Sequence, residues 1–453
     1  MPSSSTARSP APREPLLTRA FLLASLSHFL HALAFNLYLH LSGFLKRAGG
    51  SELAIGMIFG VTGAAAILAR PLLGRIMDQR GRRVIIVAGG FLHVIVCLLY
   101  GTVSSIGAWV TVVRVIHGIA DAMLFTSLFA FASDIVPASR RFEGIALFGV
   151  SGMLPVSLGS VLGDLILKRA GEGNMAGYSH LFLTSAVLAG GAFLLSLPLR
   201  EPPREAGGEA PRGMLAAFRQ RDLVPLWFAG TVFATCLAAP FTFLATFVMT
   251  EKVGSAGLFF SCYSIAAITL RLTLGKLPER VGPKAVLFPA MIAVGLGPVL
   301  LSVASTQGVM AAAGVLGGLG HGFTFPVLLG LLVSRARARE RGAALAIFTA
   351  LFDAGSLLGG PLFGAVVRGA GYRVMFGTAA VMMLVGTAVY GMLDRSRERG
   401  PKVDVDARSR AVFRPPSRPE VPGSQQGGVE LQQGAAGADD QELAAAERGD
   451  RVE

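Results

Sequence analysis

The chain has 453 residues, of which 52% are hydrophobic and only 15% charged, with 57 glycines and a formal net charge of +13. Soluble domains carry charge on about a quarter of their residues, so this composition and a mean hydropathy of +0.59 exclude an ordinary soluble globular protein. The apolar residues gather in blocks of about 20 or more, long enough at roughly 1.5 Å per residue to cross about 30 Å of hydrocarbon. The sequence therefore reads as an all-α polytopic membrane protein.

Twelve blocks are predicted to span, beginning near Phe21, Leu53, Val84, Ile106, Ile145, Tyr178, Leu223, Ala256, Ala285, Val309, Ala343 and Tyr372. The first is not a signal peptide: it holds His28, His31 and His40 and runs into further spans without a small-residue cleavage site. Basic residues concentrate in alternate connections: Arg75, Arg80, Arg82 and Arg83; Arg140 and Arg141; Arg200, Arg204, Arg212, Arg219 and Arg221; Lys276, Arg280 and Lys284; Arg335, Arg337, Arg339 and Arg341. Cytoplasmic loops carry such an excess, which predicts that both termini are cytoplasmic. The positive charge is then a topology signal, and nucleic-acid binding is not expected. Cys97, Cys236 and Cys262 fall inside spans and read as small core residues. Without metal-ligand spacing, a phosphate loop or a nucleophile elbow, no metal, cofactor or enzyme activity is expected.

The two halves of the chain repeat one another. "RPLLGRIMDQRGRRV" from Arg70 matches "RLTLGKLPERVGPKA" from Arg271 in its spacing of arginine, glycine, acid, glycine and base. "IHGIADAM" from Ile116 faces "GHGFTFPV" from Gly320, and "GSVLGD" from Gly159 faces "GSLLGG" from Gly355. The expected organisation is a cytoplasmic N-terminal tail over 1–17, a six-helix bundle over 18–199 and a cytoplasmic linker over 200–222. A second six-helix bundle over 223–394 follows in the same orientation, then a tail over 395–453 too rich in Pro, Gly, Gln and charge to bury a core.

Twelve spans in two parallel six-helix halves, a long central loop and this recurring turn together resemble the major facilitator superfamily over about residues 18 to 394. The turn "GRIMDQRGRR" fits the superfamily signature G-x-L-x-D-R-x-G-R-R, with Ile76 for the leucine and Gln79 and Arg80 at the next two places. From the residues alone, Gly74 lets helices approach, Gly81 reverses the chain at positive φ, and Asp78 pairs with Arg82, Arg83 or donors at a helix start. The resemblance implies that this cluster latches the halves on the cytoplasmic side in the outward-open state, with Gly275, Glu279, Gly282 and Lys284 as its counterpart. A plain positive-inside turn is the simpler alternative.

The fourth span, "VVRVIHGIADAM", resembles the superfamily pattern R-x-x-q-G, with His117 where glutamine is frequent. On a helix Arg114, His117, Gly118, Asp121 and Phe125 share one stripe. Charge is costly in hydrocarbon, so the stripe should face an interior cavity. Arg114 and Asp121 lie about 10 Å apart by rise, and His117 between them could bridge. In drug:proton antiporters of this family the matching arginine is linked to proton movement; pinning of helices by Arg114 is the structural alternative. Asp353, some eleven residues into the eleventh span, is costly to keep charged if unpaired and suits a site that gains and loses a proton. His321 is the repeat partner of His117. In the first span His28 with His31, and Asn36 with His40, form two patches, one facing the cavity and the other a helix interface. Asp164 reads as an acid reaching the outer headgroups. Proton coupling is thus assigned to Arg114, His117, Asp121 and Asp353, and the substrate cavity to His31, Asn36, Tyr38, Phe125, Phe241, Tyr263 and His321.

The resemblance is nearest to the bacterial twelve-span drug:proton antiporters and arabinose-efflux-like permeases, which implies a monomer in the bacterial inner membrane. The exporters' glycine-proline motif of the fifth span is not matched; only Pro155 precedes "LGSVLG". The expected function is proton-coupled efflux of a small organic solute by alternating access. Its partners are the small-molecule substrate, the proton as coupling ion and the lipid bilayer. The alternatives are uptake or facilitated diffusion of a sugar or carboxylate nutrient and, from another class, a non-transporting membrane sensor or scaffold.

Overall fold

The computed structural model describes residues 15–137, 140–171, 174–202, 217–337 and 340–394. Most of the N-terminal tail, linker positions 203–216 and the tail from 395 lie outside them. The described residues form helices and turns, with no strand among them. The first span, α1, runs as Arg19–Asn36, tightens into a 3-10 turn at Leu37–His40 and resumes as Leu41–Arg47. There follow α2 (Glu52–Arg80), α3 (Arg82–Leu99), α4 (Ala108–Ile135), α5 (Arg141–Ala170) and α6 (Ala176–Ser196). The second half begins with α7 (Val224–Glu251), α8 (Ala256–Leu274), α9 (Pro283–Ser302) and α10 (Gln307–Arg335). The last helical stretch, Arg341–Leu393, is broken at Gly371 (φ 85°, ψ 173°), which divides it into α11 (341–370) and α12 (372–393). The eleventh and twelfth sequence blocks thus meet at one left-handed glycine, a backbone state that costs glycine little.

Polar residues mark the starts of these helices. The hydroxyls of Thr18, Ser51, Ser255 and Thr306 each accept a hydrogen bond from the backbone N–H three residues on, at 3.0 to 3.3 Å. Each satisfies a donor that hydrocarbon could not, an N-cap contribution of about 1 kcal/mol. Matching reversals occur at Gly81 (φ 95°) and Gly282 (φ 96°), between α2 and α3 and between α8 and α9. We call the end of the bundle that carries these turns the basic end and the opposite one the far end.

The halves meet differently at the two ends. At the far end one continuous core includes Tyr38, Phe44 and Phe182 of the first half together with Phe243, Phe247 and Phe363 of the second. At the basic end the core divides: one cluster around Trp227, Phe233 and Tyr390 belongs to the second half, and those around Phe131 and Met77 belong to the first. Along the joined part, α2 and α11 touch backbone to backbone. A Cβ on Gly56 would collide with the Gly360 carbonyl, and one on Gly63 would lie 2.6 Å from the Asp353 carbonyl. On the other side α5 meets α8, where Ser157 donates to Ser261 at 3.1 Å.

Candidate functional site

About halfway along the bundle the halves enclose a cavity of about 400 Å3. Arg114, Asp121, Asp353, His31, Asn36, Tyr38, Phe125, Phe241 and His321, all singled out from the sequence, line it. Two predicted residues stand behind the wall instead. The Tyr263 hydroxyl bonds His321 Nδ1, and His117 turns into the first half, where its Nδ1 meets the Tyr100 hydroxyl at 3.1 Å.

The helical stripe of α4 is therefore followed only in part. Arg114, Asp121 and Phe125 face the cavity, while Gly118 packs against the Thr62 backbone of α2. His117 does not bridge Arg114 and Asp121. Arg114 Nη1 donates to the Tyr100 hydroxyl at 3.4 Å and its guanidinium lies over the Phe59 ring, 4.7 Å from the centroid. Asp121 Oδ1 lies 3.4 Å from His31 Nε2. His31 Nδ1 in turn sits 3.0 Å from Nδ1 of His93, whose ring stacks on that of His117 at 5.3 Å. His93 was not singled out from the sequence. It stands alone in an apolar block, without a charge or repeat partner beside it.

The first-span histidines also depart from expectation. His28, His31 and Asn36 all line the cavity, whereas His40 Nε2 bonds the Ser160 carbonyl at 3.0 Å in α5. The 3-10 turn at Leu37–His40 advances the chain at three residues per turn, so angles computed for a continuous α-helix do not carry through it. Asp164 does not simply reach outward: its Oδ2 accepts from Gly257 N at 2.7 Å, at the start of α8 in the other half. A carboxylate there meets the positive end of the helix dipole.

Asp353 is paired. Arg70 Nε donates to its Oδ2 at 2.6 Å, with side chains 15% and 18% exposed, and Arg70 Nη1 donates to Thr126 at 2.9 Å. This ion pair joins α2 to α11 and lies nearer the basic end than the Gly63 contact. At the far end the Tyr372 hydroxyl donates to Glu52 at 2.7 Å, another contact between halves, and Lys46 also pairs with Glu52.

At the basic-end turns, Gly81 and Gly282 have the expected positive φ. Gly74 meets no neighbouring atom where a Cβ would stand, so it serves no close approach in this conformation. The side chain of Asp78 lies outside what the structure describes. Arg82 Nε pairs with Asp134 at 2.9 Å, and the Glu201 carboxylate accepts from the backbone N–H groups of Arg82 and Arg83, each at 2.8 Å. In the second half Asp394 plays a similar part, pairing with Lys284 and Arg335 at 2.9 Å each. Glu279 is exposed on a single helical turn, Leu277–Val281, and Gly275 backs onto its own helix. These contacts tie the turns within their own half. Glu201 and Asp394 were missed because each lies at the end of a half, more than 100 residues from the turn it holds.

Comparison with known proteins agrees with this architecture. An uncharacterised MFS-type transporter, STM4428, of Salmonella typhimurium is 26% identical over 353 residues, 76% of this chain and 88% of that protein. The multidrug resistance protein MdtG of Salmonella choleraesuis is 24% identical over 76% of this chain and 86% of its own. Among solved structures, the nucleoside transporter NupG superposes with a TM-score of 0.65 at 15% identity, covering 84% of this chain and 100% of that one. A bacterial homologue of the human lysosomal transporter Spinster, in an inward-facing and unoccupied conformation, gives 0.66 at 17% identity, covering 84% and 98%. The Major Facilitator Superfamily profile matches residues 24–255 and 226–424. The chain belongs to the Major Facilitator Superfamily, whose members are membrane transporters and not enzymes.

Proposed function

We propose that the protein exports a small organic solute in exchange for protons, working as a monomer in the bacterial inner membrane with both termini in the cytoplasm. The excess of arginine at the basic end supports that orientation. With the basic end inward, the joined far end and divided basic end correspond to a cavity offered to the cytoplasm. Relatives named for multidrug resistance support export.

The observation that carries the reading is the Arg70–Asp353 pair between the halves, with Asp353 on the cavity wall. While Asp353 is charged it holds α11 to α2. A proton on Asp353 removes that attraction, and Arg70 keeps its bond to Thr126. Removing one charge from a buried pair changes its balance by about 3–5 kcal/mol, enough to tip a two-state equilibrium. Solute and proton then alternate: the proton is released inward as the pair forms, the solute binds, and the halves rock about the central site. Arg114, His117 and Asp121 supply further polar sites along the same route. In the outward-open state the turn around Asp78, with Gly74, Arg82 and Arg83, closes the basic end against the second half.

The test is an accumulation screen in efflux-deficient cells, with and without expression, repeated with an uncoupler. Export by proton exchange predicts that expression lowers retention of some compound and that the uncoupler restores it. Retention raised by expression would reverse the direction.

A further inference from the structure

Two opposite charges face the cavity without neutralising each other. Arg114 is only 3% exposed, yet no carboxylate lies within 4 Å of it among the described residues. Its contacts are the Phe59 face at 4.7 Å, the Tyr100 hydroxyl at 3.4 Å and the Ile58 carbonyl at 3.5 Å, all neutral and the last two long. Asp121 has one near partner, His31 at 3.4 Å, and its side chain keeps 32% exposure toward the cavity. The cavity's other acid, Asp353, is satisfied by Arg70. A guanidinium buried without a counter-charge is costly, and the cost falls when a ligand brings the anion.

We infer that the solute is a zwitterion with an aromatic body, its acid held by Arg114 and its amine by Asp121. This rests on the transporter reading above and names the substrate class of the same cavity. The two residues lie on one face of α4, two turns or about 10 Å apart by rise. The cavity also presents Phe35, Phe59, Phe125, Phe241 and Phe352. Aromatic faces accept a flat apolar body and favour a cation near their rings. A rod of two rings with an amine at one end and an acid at the other matches the span, and about 400 Å3 holds it. An amine that binds Asp121 competes there with a proton, which links solute occupancy to proton release.

The test is equilibrium binding to the purified full-length protein with three matched probes. These are 4′-(aminomethyl)biphenyl-4-carboxylic acid, its methyl ester carrying only the cation, and 4′-methylbiphenyl-4-carboxylic acid carrying only the anion. The zwitterion should bind at least tenfold more tightly than either analogue. Arg114→Gln should bring it level with the ester, and Asp121→Asn level with the anion. Wild-type protein that binds the ester or the anion as tightly as the zwitterion, or binds no zwitterion at millimolar concentration, overturns the inference. That comparison needs no variant to fold. Because binding is read without a gradient, a protein that shows this pattern but moves solute without protons would refute the coupling and leave the substrate class standing.

Discussion

His117 and His321 hold equivalent places in the two halves, and each offers Nδ1 to a tyrosine hydroxyl, Tyr100 and Tyr263. Beyond that bond they part. His117 lies in a polar string that runs through His93 and His31 to Asp121, with Arg114 bonded to the same tyrosine. His321 sits among rings, Phe233 at 5.2 Å and Phe325 at 6.4 Å. The tyrosines also come from places that are not repeat partners, Tyr100 just after α3 and Tyr263 within α8. The fold is duplicated but its chemistry is not: the first half gathers three histidines with Arg114 and Asp121, and the second lines the cavity mainly with apolar side chains, His321 and Asp353 set among them and Arg271 bonded to the Gly322 carbonyl behind.

The halves should behave alike where they share geometry, and the largest effect is expected there. Gly56 on one side and Gly360 on the other permit the same backbone contact, so Gly56→Leu and Gly360→Leu should be equally harmful. Overpacking against backbone costs about 3 kcal/mol, on the order of a hundredfold in the population of the far-closed state. Distances between spin labels at residues 48 and 253 should widen by the same amount in both variants. Unchanged distances would mean that the glycine contact does not set the closure.

The halves should differ at their histidines. His93→Phe removes a link in a buried polar string, at about 1–3 kcal/mol, and should cut proton-driven transport about tenfold while solute exchange continues. His321→Gln should change it less than threefold. Equal losses would erase the asymmetry, since His321 would then be as much a part of proton handling as the first-half string. The smallest effect is expected at Asp164. Its carboxylate faces the start of α8 at 2.7 Å, a helix-dipole contact of about 0.3–1 kcal/mol. Asp164→Asn keeps an acceptor and loses the charge, so the far-closed population should fall about two- to fivefold, read by the same labels.

The spans were legible because hydrocarbon thickness sets the length of apolar blocks in local sequence, and the repeat marked equivalent turns. The charged face of α4 was legible because buried charge has few places to go. Partners were not. Nothing near Asp353 in the sequence points to Arg70, whose side chain crosses between halves to meet it. Asn36 and His40 were separated from each other by a 3-10 turn that no hydropathy window reports. His93 became visible only when α1, α3 and α4 packed together, because a lone histidine in an apolar block carries no periodic signal.

The central claim is that Asp353 links proton and solute through Arg70, and transport in proteoliposomes under an imposed pH gradient tests it most directly. The solute is the compound selected by the accumulation screen, and wild type and Asp353→Asn are matched for reconstituted protein. The account predicts gradient-driven accumulation in wild type, none above background in Asp353→Asn, and solute exchange without a gradient in both. If Asp353→Asn still concentrates the solute with an unchanged dependence on the gradient, the ion pair is a structural tie and the coupling lies elsewhere.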